Sequence, residues 1–234
     1  MKKALLLSSS GYKNTGYLTH CREWICDFLQ KHGVFGEEIL FIPYAGVRRS
    51  NDEYEAKVKE CLKYENIRSI HHFTDPQTAV KNAKIIAVGG GNTFVLMYYL
   101  YKFKLIDLIK QKTESGTPYF GWSAGANIAG NTMMTTNDMP IIYPESFKAL
   151  EILPHQINPH FISGKIANHN GESREERLEE FLIINQNSTI YALPEGVGLE
   201  ILGDEARVIG NEAVLKMRYK KQTKFINPNE IFKV

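Results

Sequence analysis

A serine lies at the centre of the segment Gly121-Trp122-Ser123-Ala124-Gly125, which fits the pattern G-x-S-x-G. An apolar run precedes this segment and a helical stretch follows it, and in that context the pattern forms a sharp turn that exposes a nucleophile. Small neighbouring residues suit such a strained backbone. A glycine-rich turn with a capping serine fits the same five residues, but the strand-turn-helix context favours nucleophilic catalysis by Ser123.

A serine hydroxyl needs a general base, and the chain has 7 histidines that could supply one. Four of them belong to the region of the first predicted helix or to a predicted strand, where a structural or surface role is favoured: His20, His32, His71 and His72. The others are His155, His160 and His169, and spacing alone does not select among them. The proline before His160 would restrict the chain there, which suits a base that must be held in position.

Two carboxylates could hold the imidazole of such a base in the correct tautomer. Asp138 lies in a turn two residues before Pro140, and Glu195 lies in a tight turn directly after a predicted strand. Either could also be an ordinary solvent-exposed turn residue. The sequence therefore leaves the choice between Asp138 and Glu195 open.

Hydrolysis also needs hydrogen-bond donors for the oxyanion that develops on the substrate. A glycine run at residues 89–91 follows a predicted strand and precedes a helix that Asn92 or Thr93 could cap. A phosphate-binding loop is the alternative, but Phe94 replaces the last glycine of G-x-G-x-x-G and no Lys-Ser/Thr follows. We expect an oxyanion hole formed by the amide of Ala124 and that of Gly90 or Gly91.

The elements that position these residues follow from the pattern of apolar side chains. Short apolar runs predict strands at residues 4–8, 39–43, 67–73, 84–88 and 117–122. Amphipathic stretches between them predict helices at residues 17–31, 52–64, 75–83 and 93–112. Apolar strands that alternate with helices indicate an α/β fold with a mostly parallel sheet, doubly wound or flavodoxin-like.

The second half of the chain has a different pattern. Residues 131–159 are loop-like, and residues 172–187 predict a helix with Ser173 as its N-cap and Glu176 three residues later. Closely spaced strands are then predicted at residues 190–193, 198–202, 206–209, 213–218 and 223–226. We expect a single α/β domain over residues 1–234 with an antiparallel C-terminal extension.

Composition limits the classes of function. The formal charge of +2 implies neither a nucleic-acid nor a membrane partner. The 3 cysteines form no CxxC pair, which fits free thiols in a reducing compartment. The apolar run after Lys3 is too short for a signal peptide or a membrane span, so a cytoplasmic location is expected. No cluster of metal-binding residues is visible in the sequence.

Six segments of the chain resemble the peptidase E family of α-aspartyl dipeptidases. They carry the residues discussed above and occur in the family's order: residues 42–47, 88–94, 121–127, 135–141, 156–161 and 193–196. The resemblance implies a glutamine-amidotransferase-like α/β fold, a small peptide substrate, and neither metal nor cofactor. It also implies that Ser123 is the nucleophile and His160 the base, with Asp138 or Glu195 as the third member.

The segment at residues 169–177 adds a prediction about specificity. The resemblance implies that Arg174 binds the side chain of a substrate aspartate, because a guanidinium can grip a carboxylate with two hydrogen bonds. Asn92 and Thr93 are further candidates for substrate binding. Arg48 and Arg49 depart from the family pattern, and the match is weak beyond about residue 202.

Other functions compatible with these residues are a related serine hydrolase, such as a cyanophycinase-like peptidase or an esterase, and a non-catalytic protein that binds small molecules. Intact Ser123, His160 and both candidate carboxylates argue against the non-catalytic reading. A glutamine amidotransferase would need a cysteine as the nucleophile at this turn, and Ser123 argues against that class. The expected quaternary state is a monomer or a homodimer.

Overall fold

The computed structural model of the protein describes residues 1–165 and 170–234. The helices are α1 (Arg22–Lys31), α2 (Asn51–Leu62), α3 (Pro76–Asn82), α4 (Thr93–Lys102), α5 (Ile106–Glu114), α6 (Ala124–Asn127) and α7 (Arg174–Ile184). The strands are β1 (Lys3–Leu7), β2 (Ile39–Ile42), β3 (Ile67–Ser69), β4 (Ile85–Val88), β5 (Tyr119–Trp122), β6 (Gln156–Phe161), β7 (Thr189–Pro194), β8 (Val197–Leu202), β9 (Glu205–Gly210), β10 (Val214–Arg218), β11 (Lys224–Ile226) and β12 (Ile231–Lys233). Within the described residues, no helix is long and apolar enough to cross a membrane.

The larger sheet contains, among the described residues, eight strands in the order β12-β9-β8-β1-β5-β4-β2-β3. Strands β1, β5, β4, β2 and β3 pair in parallel, whereas β8, β9 and β12 continue the sheet in antiparallel pairing beside β1. This confirms the α/β fold with a mostly parallel sheet. The order of the parallel strands, β3-β2-β4-β5-β1, differs from the flavodoxin order, and no pattern in the sequence specifies it.

Strand β1 shows that the sheet is covered on both faces. Leu5 and Leu7 pack into one core together with helices α1 and α2. Ala4 and Leu6 pack into the core of the opposite face, to which α3, α4 and α5 contribute. All four side chains are fully buried, as expected for a near-continuous apolar strand in a parallel sheet.

A smaller sheet has the order β11-β10-β7-β6. Strands β6 and β7 are parallel, and the other pairs are antiparallel. Helix α7 packs on this sheet through Leu178 and Leu182. The predicted antiparallel extension is therefore divided between two sheets, since β8 and β9 belong to the larger one while β7, β10 and β11 join β6 in the smaller one.

The strand ends that matter for chemistry meet at one edge of the larger sheet. Strands β1, β4 and β5 are parallel, so their carboxyl ends lie side by side. Strand β8 runs the opposite way and starts at this edge, because Gly198 pairs with Leu7 at the end of β1. The turn between β7 and β8, which contains Glu195, is thereby brought to the same edge.

Three predicted elements differ from those observed. The helix predicted at residues 93–112 is two helices separated at Lys104, whose left-handed φ of 55° turns the chain so that Leu105 is fully buried. The strand predicted at residues 67–73 ends at Ser69 and continues as a 3₁₀ turn, Ile70–His72. The helix predicted from residue 17 begins at Arg22, after a 3₁₀ turn.

Strand β6 lies in the region that we predicted to be loop-like. It contains buried polar residues and Pro159, so the alternation of apolar and polar residues that marks a strand is obscured. The proline is tolerated because the pairing with β7 is irregular between Asn158 and Phe161. This strand carries His160, so the prediction missed the element that positions the candidate base.

Candidate active site

Ser123 occupies the sharp turn between β5 and α6. Its backbone angles are φ 54° and ψ −113°, a conformation that residues other than glycine rarely adopt. Its amide donates a hydrogen bond to the carbonyl of Leu7, 3.0 Å away, which anchors the turn to β1. The turn also packs closely on β4, because a Cβ atom at Gly125 would lie 2.2 Å from the carbonyl oxygen of Val88. Only glycine fits there.

The side chains of Ser123, His160 and Glu195 form a hydrogen-bonded row. Nε2 of His160 lies 3.0 Å from Oγ of Ser123, and its Nδ1 lies 2.8 Å from Oε1 of Glu195. A carboxylate on Nδ1 keeps the ring proton on that nitrogen, so Nε2 is free to accept the proton of the serine hydroxyl. The row is accessible to a ligand, since the side chains of His160 and Glu195 are 38% and 50% exposed.

A buried serine at the end of β1 holds the candidate base in place. Oγ of Ser8 accepts a hydrogen bond from the amide of His160, 2.9 Å away, and donates one to the carbonyl of Leu193, 2.8 Å away. His160 itself has a positive φ of 53°, so its backbone is strained and needs such support. Ser8 thus connects the larger sheet to β6, which carries His160, and to β7, which leads into the turn that contains Glu195. No pattern in the sequence identified Ser8 as part of the site.

The carboxylate of Asp138, the other candidate, makes different contacts. It accepts hydrogen bonds from the amide of Thr93 at 2.7 Å and from its hydroxyl at 2.6 Å. The hydroxyl of Thr136 is a third donor, at 3.2 Å. The structure therefore places Asp138 at the first turn of α4, where a negative charge interacts favourably with the helix dipole, and places Glu195 on the imidazole.

The glycine run after β4 lies next to Ser123. A Cβ atom at Gly90 would be 2.9 Å from the Cβ of Ser123. In the described part of the chain, the amides of Gly90, Gly91 and Ala124 donate to no hydrogen-bond acceptor. These are the amides that the sequence analysis assigned to an oxyanion hole, and they are free to bind a ligand oxygen.

A series of hydrogen-bonded aromatic side chains supports this loop. Nε1 of Trp122 donates to the hydroxyl of Tyr17 at 2.9 Å, which lies 3.1 Å from the hydroxyl of Tyr54. The Tyr54 hydroxyl in turn donates to the carbonyl of Gly90 at 2.8 Å. Burial raises the pKa of Tyr54 well above its usual value, so this phenol stays a neutral donor. Trp122 of the serine turn is thus linked to the facing loop.

The polar side chains that follow the glycine run are already engaged. Asn92 caps α4 by accepting from the amide of Val95 at 3.1 Å, and its Nδ2 donates to the carbonyl of Met139 at 2.9 Å. Thr93 donates its hydroxyl to Asp138. Gly91 has a φ of 139°, and a Cβ atom there would lie 2.1 Å from the carbonyl oxygen of Ala45. These contacts fix the loop to its neighbours and leave its amides free.

Arg174 is the first residue of α7, directly after the N-cap Ser173. Its Nη1 donates to Oδ1 of Asn137, whose Nδ2 donates to the carbonyl of Pro159 at 2.7 Å. Burial lowers the pKa of Arg174, and the positive charge of Arg177 lowers it further. Within residues 1–165 and 170–234, no carboxylate forms an ion pair with Arg174, and a guanidinium that has lost hydration without such a partner favours an anionic ligand.

The other candidate arginines and histidines that the structure describes have different surroundings. The guanidinium of Arg49 stacks on the ring of Tyr54 at 4.7 Å, and Arg48 is exposed. Burial lowers the pKa of both His20 and His155, which disfavours their charged forms. The candidate His169 lies outside the described residues.

The chain is similar to known peptidases over most of its length. The model of peptidase family S51 matches residues 4–209. The chain is 54% identical over 231 residues to peptidase E of Actinobacillus pleuropneumoniae serotype 5b, strain L20, covering 97% of this chain and 98% of that protein. It is 53% identical over 234 residues to peptidase E of Pasteurella multocida, strain Pm70, covering 99% of each. The solved structure of a peptidase from an acI-B1 Actinobacterium shares the fold, with a TM-score of 0.71 and 20% identity, covering 100% of this chain and 97% of that one.

Replacement of Ser8 tests how the site is held together. Ser8→Ala leaves the amide of His160 and the carbonyl of Leu193 without their partner, so we expect the free energy of unfolding to fall by about 1–3 kcal/mol. Ser115→Ala is the control, because it removes a similar bond to a backbone carbonyl at an exposed site and should change stability by less than about 0.5 kcal/mol. Urea unfolding measures both, and equal effects would show that Ser8 is not a structural link.

Proposed function

The chain belongs to peptidase family S51, and from this premise we propose that it is a serine exopeptidase that removes an N-terminal aspartate from dipeptides and short peptides. The row Ser123–His160–Glu195 carries the proposal, with separations of 3.0 Å and 2.8 Å between the bonded atoms. Among the described residues, no other hydroxyl that bonds a histidine–carboxylate pair lies on a strained turn.

In the first half of the reaction, Oγ of Ser123 attacks the carbonyl carbon of the substrate, and Nε2 of His160 takes the hydroxyl proton. Glu195 stabilises the imidazolium that forms. The bond to the leaving amine then breaks, and the imidazolium donates its proton to that nitrogen. The aspartyl group remains on Ser123 as an ester. A water molecule then attacks the ester while His160 takes one of its protons. The imidazolium returns that proton to Oγ of Ser123 as the ester bond breaks, and free aspartate leaves.

The oxyanion that appears in both halves needs donors that are already in place. We assign this role to the amide of Ala124 and that of Gly90 or Gly91. They have no other acceptor in the described part of the chain, and the contacts of Asn92, Thr93 and Tyr54 hold their loop. Donors that need no rearrangement stabilise a developing charge at little cost. We propose that Asn92, Thr93 and Asp138 shape this loop.

Selectivity for aspartate rests on Arg174. Its contact with Asn137 connects it to the residue before His160, so it is attached to the same framework as the base. The β-carboxylate of an N-terminal aspartate would supply the half-buried guanidinium with the anionic partner that none of the described residues provides. Asparagine has the shape without the charge, and the additional methylene of glutamate would displace either its carboxylate or the scissile carbonyl.

A cytoplasmic location is part of the proposal. Cys21, Cys26 and Cys61 are all free thiols, as is usual for proteins that work in a reducing compartment. Burial raises the pKa of Cys21 to about 12, so this thiol stays protonated and unreactive.

Removal of the nucleophile is the first test of the proposed reaction. Ser123→Ala should lower kcat on the dipeptide Asp-Leu by about 10⁴-fold or more. The double variant with His160→Ala should be no worse than the single one, because the two residues act as a unit. Circular dichroism provides the folding control. Near-normal turnover by Ser123→Ala would rule out the acyl-enzyme mechanism.

The two carboxylates should respond differently to neutral replacement. Glu195→Gln should lower kcat by roughly 10²–10⁴-fold while the protein stays folded, because the amide cannot stabilise the imidazolium. Asp138→Asn is the matched variant and should mainly affect KM or thermal stability, since its partners are Thr93 and Thr136. Small and equal losses of kcat in both variants would instead indicate a Ser–His dyad.

Substrate selectivity tests the role of Arg174. Arg174→Ala should lower kcat/KM for Asp-Leu by about 10²-fold or more, and for Asn-Leu and Glu-Leu much less. Arg174→Lys should recover only part of the loss, because lysine keeps the charge but lacks the fork of donors.

Arg177→Ala is the control for this experiment. Arg177 lies on the same helix, is exposed and pairs with Glu172 at 3.8 Å, so its loss should leave all three rates within about twofold. An equal fall of the three rates in Arg174→Ala would mean that Arg174 is structural. The exposed Arg48 would then be the next residue to test.

A further inference from the structure

Two adjacent histidines at the end of β3 face the start of helix α2. The strand predicted at residues 67–73 would have placed His71 and His72 on opposite faces. Instead, the 3₁₀ turn Ile70–His72 brings the two imidazoles together, with ring centroids 4.0 Å apart. A cluster that was invisible in the sequence results from this change of element.

Three potential ligand atoms converge here. Nε2 of His71 lies 2.8 Å from Oδ1 of Asp52, and Nε2 of His72 lies 3.5 Å from the same oxygen. All three atoms are within 4.8 Å of one another. Ligands about 2.0–2.1 Å from a tetrahedral Zn²⁺ ion are about 3.3 Å apart, so small rotations of exposed side chains would place an ion between them.

A fourth ligand is available one helical turn along α2. Oε2 of Glu55 lies 2.8 Å from Nε2 of His72, and Glu55 is three residues after Asp52, hence on the same face of the helix. Its other oxygen bonds Nζ of Lys59 at 2.6 Å, which offsets part of the negative charge of the two carboxylates. A water molecule could take this fourth position equally well.

Ser69 forms hydrogen bonds to two residues of the cluster. This fully buried residue has its hydroxyl 2.7 Å from Nδ1 of His71, and its amide donates to Glu55 at 3.1 Å. A hydrogen bond to the second ring nitrogen of a histidine orients the first one toward a metal, an arrangement typical of zinc sites. Asp52 and His72 are exposed, so an ion has access from solvent.

We propose that Asp52, His71 and His72 bind Zn²⁺, with Glu55 or water as the fourth ligand. Imidazole nitrogens combined with a carboxylate suit this ion better than Mg²⁺ or Ca²⁺, which prefer oxygen ligands. The ion would join α2 to the end of β3. No residue of the row Ser123–His160–Glu195 belongs to this site, so its role is to stabilise the fold and the proposed reaction does not need it.

Zinc binding to protein without a histidine tag and treated with a chelator tests the proposal. Titration calorimetry with ZnCl₂ should show one site in the wild type. Affinity should fall by at least about tenfold in His72→Gln and in Asp52→Asn, because each loses a ligand. His32→Gln is the matched control, since the charged groups near His32 are Lys3, Lys31 and Glu200 and not the proposed ligands, so this variant should bind like the wild type.

Two further readouts separate a built site from surface binding. Co²⁺ in place of Zn²⁺ should give the visible absorption of a tetrahedral complex in the wild type and in His32→Gln, and lose it in His72→Gln. Zinc should raise the melting temperature of the first two proteins only. Absence of saturable binding in the wild type, or the same zinc affinity in all four proteins, would overturn the proposal.

Discussion

The strained backbone at Ser123 is the constraint on which the geometry of the site depends. A residue other than glycine at φ 54° costs on the order of 1–3 kcal/mol and persists only where its neighbours fix it. Here the carbonyl of Leu7 in β1 accepts a hydrogen bond from the amide of Ser123. Strand β4 lies so close that Gly125 has no room for a side chain. Burial of the strands on both faces makes this fixed turn possible, and the hydroxyl emerges at the edge of the sheet.

The second requirement is that His160 reaches this hydroxyl from a different sheet. Its strand, β6, belongs to the smaller sheet, and Glu195 lies in the turn that leads from that sheet to the larger one. The hydroxyl of Ser8 bonds the amide of His160 and the carbonyl of Leu193, and the side chain of Asn137 bonds the carbonyl of Pro159. Because the row depends on a few short polar contacts between two sheets, its geometry is sensitive to residues that never touch a substrate.

The same edge of the sheet carries two separate groups of polar atoms, at the ends of different strands. The ends of β4 and β5 present amides and a hydroxyl, whereas the turn after β3 presents imidazoles and carboxylates. Helix α2 contacts both groups. Its Tyr54 bonds the carbonyl of Gly90, while Asp52 and Glu55 contact the two histidines. The two groups are thus neighbours on one scaffold and have no residue in common.

Local patterns in the sequence were enough to predict the α/β class, the parallel strands, the serine turn and the glycine run, because each depends on residues close together in the chain. Contacts between distant segments were not predictable in this way. The choice of Glu195 over Asp138 as the partner of His160 depends on the pairing of β6, β7 and β8, and the role of Ser8 depends on the same junction. Helical and strand periodicity describe which face of an element is buried, but not which elements become neighbours. Strand order, the carboxylate on the imidazole and the histidine cluster were therefore decided by the tertiary structure alone.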